Sequence, residues 1–404
     1  MEMEIDDTHE ECAWDLCPKE ILIKIFKHLE PKDLLTCMHV SNMWRTIAEY
    51  CGQTFDTWSL LVKNHMHNRG TTFRQKSLLS NRNLYLNSRM WCCVDKAKVK
   101  LKHVYNLKDV LKIHVYKGSL IVVCKHSVKY FNLEDGQIIN EIKEECLDYQ
   151  ETDFLVAKIT LHEGNKQISL FSKRHKTYEC SRFKIYAIQD NKCIVINSRI
   201  CAIYYECQHK CFKKRVFGRY YSDSKLLTAM FVYMDDMYLF VRNGNVFRYE
   251  HGDSHFKKFC TLQVPDPEEK LVQYPPEVFM TMFHKCSVVY GVQNKEKEGL
   301  TKTLDHMTLL YADVNCALEH GDVLLLGFKD GKVGIVNVKK FWSSGDVSLD
   351  FEFYVQDMIQ GQDVEPITNL EVYEDENCHH VFVSTSSNLY QFLIYQPDYN
   401  KVML

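Results

Sequence analysis

Trp14–Tyr50 reads WDLCPKEILIKIFKHLEPKDLLTCMHVSNMWRTIAEY, and the organisation of the chain follows from it. Ile21, Leu22, Ile25, Phe26 and Leu29 recur at steps of three and four, which gathers them on one face of an amphipathic helix. Pro18 suits the first helical position, where a missing N–H costs nothing, and Glu20 lies in the first turn, where the helix dipole favours an anion. Pro31 ends that helix and opens a second, which carries Leu34, Leu35, Met38 and, near its end, Val40. Ser41 is placed to cap a third, in which Trp44, Ile47 and Ala48 share a face. A unit of three such short helices is too small to cover its own apolar surface. The uncovered side must dock on something.

The pattern Pro18-x-Glu20-Ile21-Leu22-x-x-Ile25-Phe26-x-x-Leu29, then Asp33-Leu34-x-x-Cys37-x-x-Val40-Ser41-x-x-Trp44-Arg45-x-Ile47-Ala48, resembles the F-box. That motif docks the receptors of cullin-RING (SCF) ubiquitin ligases on their adaptor. The family places Leu directly before the proline, whereas Leu16-Cys17-Pro18 displaces it by one residue here. The resemblance implies that Pro18, Ile21, Leu22, Ile25, Phe26, Leu29, Leu34, Val40 and Trp44 form the interface with a Skp-type adaptor and the small core behind it. Cullin and RING subunits would join through that adaptor.

Working outward, the first 13 residues form an acidic, flexible N-terminus ahead of an F-box over 14–53. Residues 54–100 read as a basic helical linker, with Trp58, Leu60, Leu61, Leu78, Leu79, Leu84, Leu86, Met90 and Trp91 spaced among cationic and amide side chains. In receptors of the class that the motif resembles, such a connector fixes the distance between adaptor and substrate-binding domain. The acidic start lacks the basic-then-apolar layout of a secretory signal, and no apolar run is long enough to span a bilayer. Seventeen cysteines without regular spacing fit reduced thiols in a cytoplasmic or nuclear setting better than a disulfide framework.

From about Val104 the texture changes to short runs of Val, Ile, Tyr and Phe punctuated by Gly, Asn and Asp, the signature of strands. Copies of one shape begin at 118, 166, 192, 235, 285, 321 and 378, a mean step of about 43 residues, which is the period of propeller blades. The expected fold is therefore multidomain: a small all-α F-box, a helical linker, and an all-β, degenerate WD40-like propeller of about seven blades over 101–404. A pair of β-sandwiches is the structural alternative. The combination resembles the F-box and WD-repeat receptor class in architecture, so no substrate-contacting residue carries over from it.

Chemistry within the chain has little support. Cys201, Cys207, His209 and Cys211 offer three thiols and an imidazole, but their spacing matches no familiar zinc hairpin and their alternation fits a strand face. His65 with His67, and His379 with His380, are pairs without a fitting acid or thiol partner, and Asp235-Asp236 is a turn signal. There is no Gly-rich phosphate loop, nucleophile elbow or zinc-protease helix. Neither an enzyme, nor a metal, nor a cofactor is expected. Two basic clusters, Lys173–Lys176 and Lys213–Arg215, fall in expected loops, where Arg174 and Arg215 are placed to pair with an acidic or phosphorylated peptide.

The sequence thus points to a non-catalytic substrate-recognition subunit of an SCF-type ubiquitin ligase, whose propeller binds a protein substrate. A non-degradative F-box scaffold is the alternative. The basic linker lacks the aromatic interleaving of a stacking platform, so nucleic acid is not the expected partner, nor is a membrane.

Overall fold

Three N-terminal helices form where the caps place them in the computed structural model. It describes residues 14, 17–55, 57–59, 62, 79–172, 177–181, 183–189, 192–197, 201–208, 211–219, 227–233, 236–241, 245–249, 255–261, 313–320, 323–337, 348–359, 364–375 and 378–396. Pro18 is the N-cap of α1 (Lys19–Phe26), one position earlier than the sequence suggests, and Pro31 is the first residue of α2 (Pro31–Cys37). Ser41 caps α3 (Asn42–Thr54), its hydroxyl accepting a hydrogen bond from the Trp44 N–H at 3.2 Å. Ser80 does the same for α4 (Asn81–Cys92), accepting from the Asn83 N–H.

Behind α4 the described residues form strands, with two short 3-10 turns at Val94–Lys96 and Gln356–Met358. The strands are β1 (Lys98–Tyr105), β2 (Val110–Tyr116), β3 (Ser119–Cys124), β4 (Ser127–Asn132), β5 (Ile138–Ile142), β6 (Asp148–Glu151), β7 (Leu155–His162), β8 (Asn165–Ser172), β9 (Thr177–Ser181), β10 (Phe183–Gln189), β11 (Lys192–Asn197) and β12 (Cys201–Gln208). They continue as β13 (Cys211–Arg219), β14 (Leu227–Tyr233), β15 (Asp236–Val241), β16 (Asn245–Tyr249), β17 (Lys257–Thr261), β18 (Val314–His320), β19 (Val323–Phe328), β20 (Lys332–Asn337), β21 (Phe351–Tyr354), β22 (Asn369–Glu374), β23 (His379–Ser384) and β24 (Leu389–Tyr395).

Five sheets are uninterrupted antiparallel meanders of four consecutive strands, and a sixth joins β22, β23 and β24 to β1. β22 packs against both β18 and β2, and β2 against β6, so successive sheets stand face to face as propeller blades. The Val115 N–H donates to the Glu371 carboxylate across one such joint, and Lys112 pairs with Asp148 at 3.0 Å across the next. Two of the hairpins turn through Lys117-Gly118 and Glu163-Gly164. Both residues of each pair have positive φ, the backbone that a two-residue turn between twisted strands requires.

Among the described residues, fewer blades are seen than the expected seven or so. The described residues hold six four-stranded sheets, and the copy expected from 285 lies outside them. β1 is the second departure: it belongs to the blade formed by the C-terminal strands, pairing with β24 from Lys98 opposite Tyr395 to Tyr105 opposite Leu389. It starts three residues before the expected propeller boundary. Its alternating Lys residues give it the burial of an outer strand, so its sequence reads as a continuation of the basic linker.

Candidate partner-docking surface and its mounting

The nine residues singled out in the F-box separate into two sets. Leu22 and Phe26 on α1 and Leu34 on α2 are at most 2% exposed and meet Leu35, Met38, Ile47, Ala48 and Cys51 in a small core. Leu29 and Trp44 are partly buried against it, with the Trp44 ring edge-on to Phe26 at 5.1 Å. Pro18, Ile21, Ile25 and Val40 stay outside, and the last three are 44%, 40% and 57% exposed. Ile21 and Ile25 are one turn apart, so they form a single ridge on the solvent side of α1. Trp14 adds a half-exposed ring against the edge of Trp44. Burial, with Asp33 nearby, pushes the Cys37 thiol up, and burial alone does so for Cys51, so these cysteines act as small apolar residues rather than nucleophiles.

The opposite side of the three helices is closed by the chain itself. Trp58, Val62, Leu84 and Tyr85 enter the same core, and Arg82 on α4 lies 3.9 Å from Glu49 on α3. Trp58 rests directly on Gly52, where a Cβ would collide with its indole ring. The side expected to dock on a partner is thus covered, at least in part, by the chain's own linker. Among the described residues, the ridge of Ile21 and Ile25 on α1 stays open, and Val40 after α2 is exposed, as are Trp14, Tyr50 and Phe55.

α4 is shared by both bodies. Its first half, with Leu84 and Tyr85, belongs to the F-box core, while Trp91 near its end belongs to the core of the β18–β21 and β22–β24 blades. The Trp91 Nε1–H donates to Glu374 Oε1 at 2.8 Å, and His320 Nε2 meets the same oxygen at 2.8 Å. The Trp91 ring lies flat on His379, Asn87 Nδ2 donates to the Asp375 carbonyl, and Gln396 Nε2 donates to the Cys93 carbonyl at 2.6 Å. A helix held at one end by each domain transmits position rather than acting as a tether.

The remaining sequence candidates fare differently. Arg174, His65, His67 and His209 lie outside the described residues. Arg215 is in the middle of β13, opposite Tyr204, on the outermost strand of its sheet rather than in a loop. A charged residue on an edge strand is a common way of blocking further strand pairing, which is why the cluster breaks the apolar pattern without breaking the strand. Cys201 and Cys207 are six residues apart on β12, about 20 Å at the usual strand rise, so Cys201 cannot share a metal with Cys207 and Cys211. His379 and His380 need a correction. Both are buried in β23, and His380 has an acid and a thiol beside it, Asp375 and Cys378, contributed by the turn before the strand.

Among comparisons with known proteins, the F-box-like family matches residues 14–52. No curated protein matches the chain. Among solved structures, the N-terminal domain of Nup159 is similar at 8% identity and a TM-score of 0.36, covering 71% of this chain and 76% of that one, a likeness too slight to bear on function. The match coincides with the three N-terminal helices and their exposed ridge: this chain carries an F-box-like domain, followed by an all-β propeller.

Proposed function

We propose that the chain is the substrate-recognition subunit of an SCF-type ubiquitin ligase, with the F-box ridge docking a Skp-type adaptor and the propeller capturing the protein to be modified. The observation that supports this reading is the exposure of Ile21, Ile25 and Val40 on a domain whose other side is already sealed by its own linker. Apolar residues clustered on an otherwise finished small domain mark a surface for a partner. Ubiquitin transfer belongs to the other subunits. The contribution of this chain is to hold two partners on one stiff body, which turns a bimolecular encounter into a nearly intramolecular one. The shared helix α4 supplies that stiffness.

The test is co-purification of the full chain with a Skp-type adaptor, compared with the Ile25→Asp and Val40→Asp double variant. Capture of the adaptor by the native chain and its loss from a folded double variant support the reading. Failure of the native chain to bind, or equal binding by the variant, overturns it. Accumulation of propeller-bound proteins when cullin activation is blocked then separates a degradative receptor from a scaffold.

A further inference from the structure

The hairpin joining β22 to β23 brings together an acid, a thiol and an imidazole that the docking surface does not use. His380 Nε2 lies 2.8 Å from Asp375 Oδ2 and 3.5 Å from Cys378 Sγ, and Sγ lies 3.3 Å from the same carboxylate oxygen. The turn is stitched so that these atoms face one another: the Cys378 N–H donates to Asp375 Oδ1 at 2.7 Å, and the Asp375 N–H donates to the Cys378 carbonyl at 3.1 Å.

Two arrangements use such residues, and they differ in geometry. In a proton relay the thiol and the carboxylate engage opposite nitrogens of the imidazole. Here both converge on Nε2, while Nδ1 is 2.7 Å from the Gln391 side-chain amide. Convergence of sulfur, oxygen and nitrogen on one point is the layout of a ligand set. We propose that Asp375, Cys378 and His380 bind a divalent transition-metal ion, zinc being the best fit to this donor set.

Zinc bonds of about 2.0–2.3 Å in tetrahedral geometry place neighbouring ligand atoms about 3.3–3.6 Å apart. The sulfur–nitrogen and sulfur–oxygen separations are already at that spacing. Only Oδ2 and Nε2 must part, by roughly half an ångström, and the Asp375 side chain is 36% exposed. The histidine is set for the role. With metal on Nε2 the imidazole carries its proton on Nδ1, where Gln391, fully buried and held by the Tyr105 hydroxyl, accepts it once its amide turns over. A metal bound here would take the place of the proton on the Cys378 thiol.

The location gives the site a consequence. The Asp375 carbonyl accepts from Asn87, and the neighbouring Glu374 carboxylate accepts from Trp91, so the same hairpin is the seat of α4 on the propeller. A metal there would brace the junction between the two domains. None of this depends on the ligase reading.

The test is titration of the purified full chain with Co(II), then with Zn(II) in competition. Binding of one cobalt per chain with a thiolate-to-cobalt charge-transfer band, displaced by zinc, is expected. Cys378→Ser should lose the band, and Cys92→Ser, at an exposed cysteine elsewhere, should keep it. Asp375→Asn, on a partly exposed turn, keeps the fold by circular dichroism and should weaken binding at least about tenfold, as losing even an outer-shell partner does. If Cys378→Ser does not fold, Asp375→Asn alone decides. No band in the native chain, a band surviving Cys378→Ser, or unchanged affinity in Asp375→Asn would leave the three side chains as a hydrogen-bonded trio and overturn the proposal.

Discussion

Trp91 on the linker helix lies flat on His379 of the propeller, ring centroids 4.1 Å apart and planes within 11°. Its indole N–H is spent on Glu374, a carboxylate that is 1% exposed and also in contact with His320. Trp91→Ala is expected to cost about 3–5 kcal/mol, the usual loss for a large buried aromatic side chain. Trp91→Phe keeps the stack but removes a donor from a buried acid, at about 1–3 kcal/mol. Thermal unfolding measures both, and limited proteolysis should show faster cleavage within 92–97 in the alanine variant.

Neighbouring residues on α1 should behave in opposite ways. Phe26→Ala opens the F-box core and should destabilise by about 3–5 kcal/mol. Ile25→Asp is on the exposed ridge and should leave stability within about 0.5 kcal/mol while weakening adaptor binding by about 2 kcal/mol or more. Calorimetric unfolding and binding, run on the same preparations, separate the two.

Gly52 is inside α3, where alanine would ordinarily stabilise by about 1 kcal/mol. The Trp58 ring, itself buried, occupies the space that a Cβ needs. Overpacking of this kind costs about 1–3 kcal/mol, so Gly52→Ala should destabilise on balance. Denaturant unfolding followed by tryptophan fluorescence reads the sign directly.

Glu365 gives the molecule a dependence on acid. Burial acts to raise its carboxyl, but hydrogen bonds from Thr385, Ser387 and Ser386 outweigh it and hold the group below the ordinary carboxylate value. The unfolded chain therefore takes up this proton more readily than the folded one. The stabilising contribution is complete above the unfolded value and disappears as pH falls through the lower folded one. Melting temperature plotted against pH should fall less steeply on the acid side for Glu365→Gln than for the native chain.

The legible parts of this fold are those where burial leaves a two-sided apolar record. Of the seven repeat starts, 118, 192, 235, 321 and 378 fall at the second strand of a four-stranded sheet and 166 at the third. Strands such as β19 and β23, covered on both faces, carry consecutive apolar residues, Val323–Leu326 and Val381–Val383, without polar alternation. Outer strands such as β5, with four of its five residues exposed, carry no such record. The F-box was readable because its caps and periodicity are local. Which face of α1 turns inward was not, since Ile21 and Leu22 are equally apolar and only the packing of the neighbouring helices and of Trp58, Val62, Leu84 and Tyr85 buries one of them. The Asp375, Cys378 and His380 group was passed over for a different reason. Its members are close in sequence, but only a hairpin turn brings them to one point, and the two adjacent histidines drew the reading toward each other instead.

The pairing of β1 with β24 sets an order on synthesis and on dissection. The three helices can be completed as soon as α4 has emerged, whereas the ring stays unlatched until a strand nearly three hundred positions further on arrives to meet the first one. A nascent chain would thus present its F-box ridge well before it has a finished platform. By the same reasoning, a propeller fragment prepared for partner capture needs to begin at or before Ser80, because trimming the basic segment removes both the latch and the indole wedge that seats it.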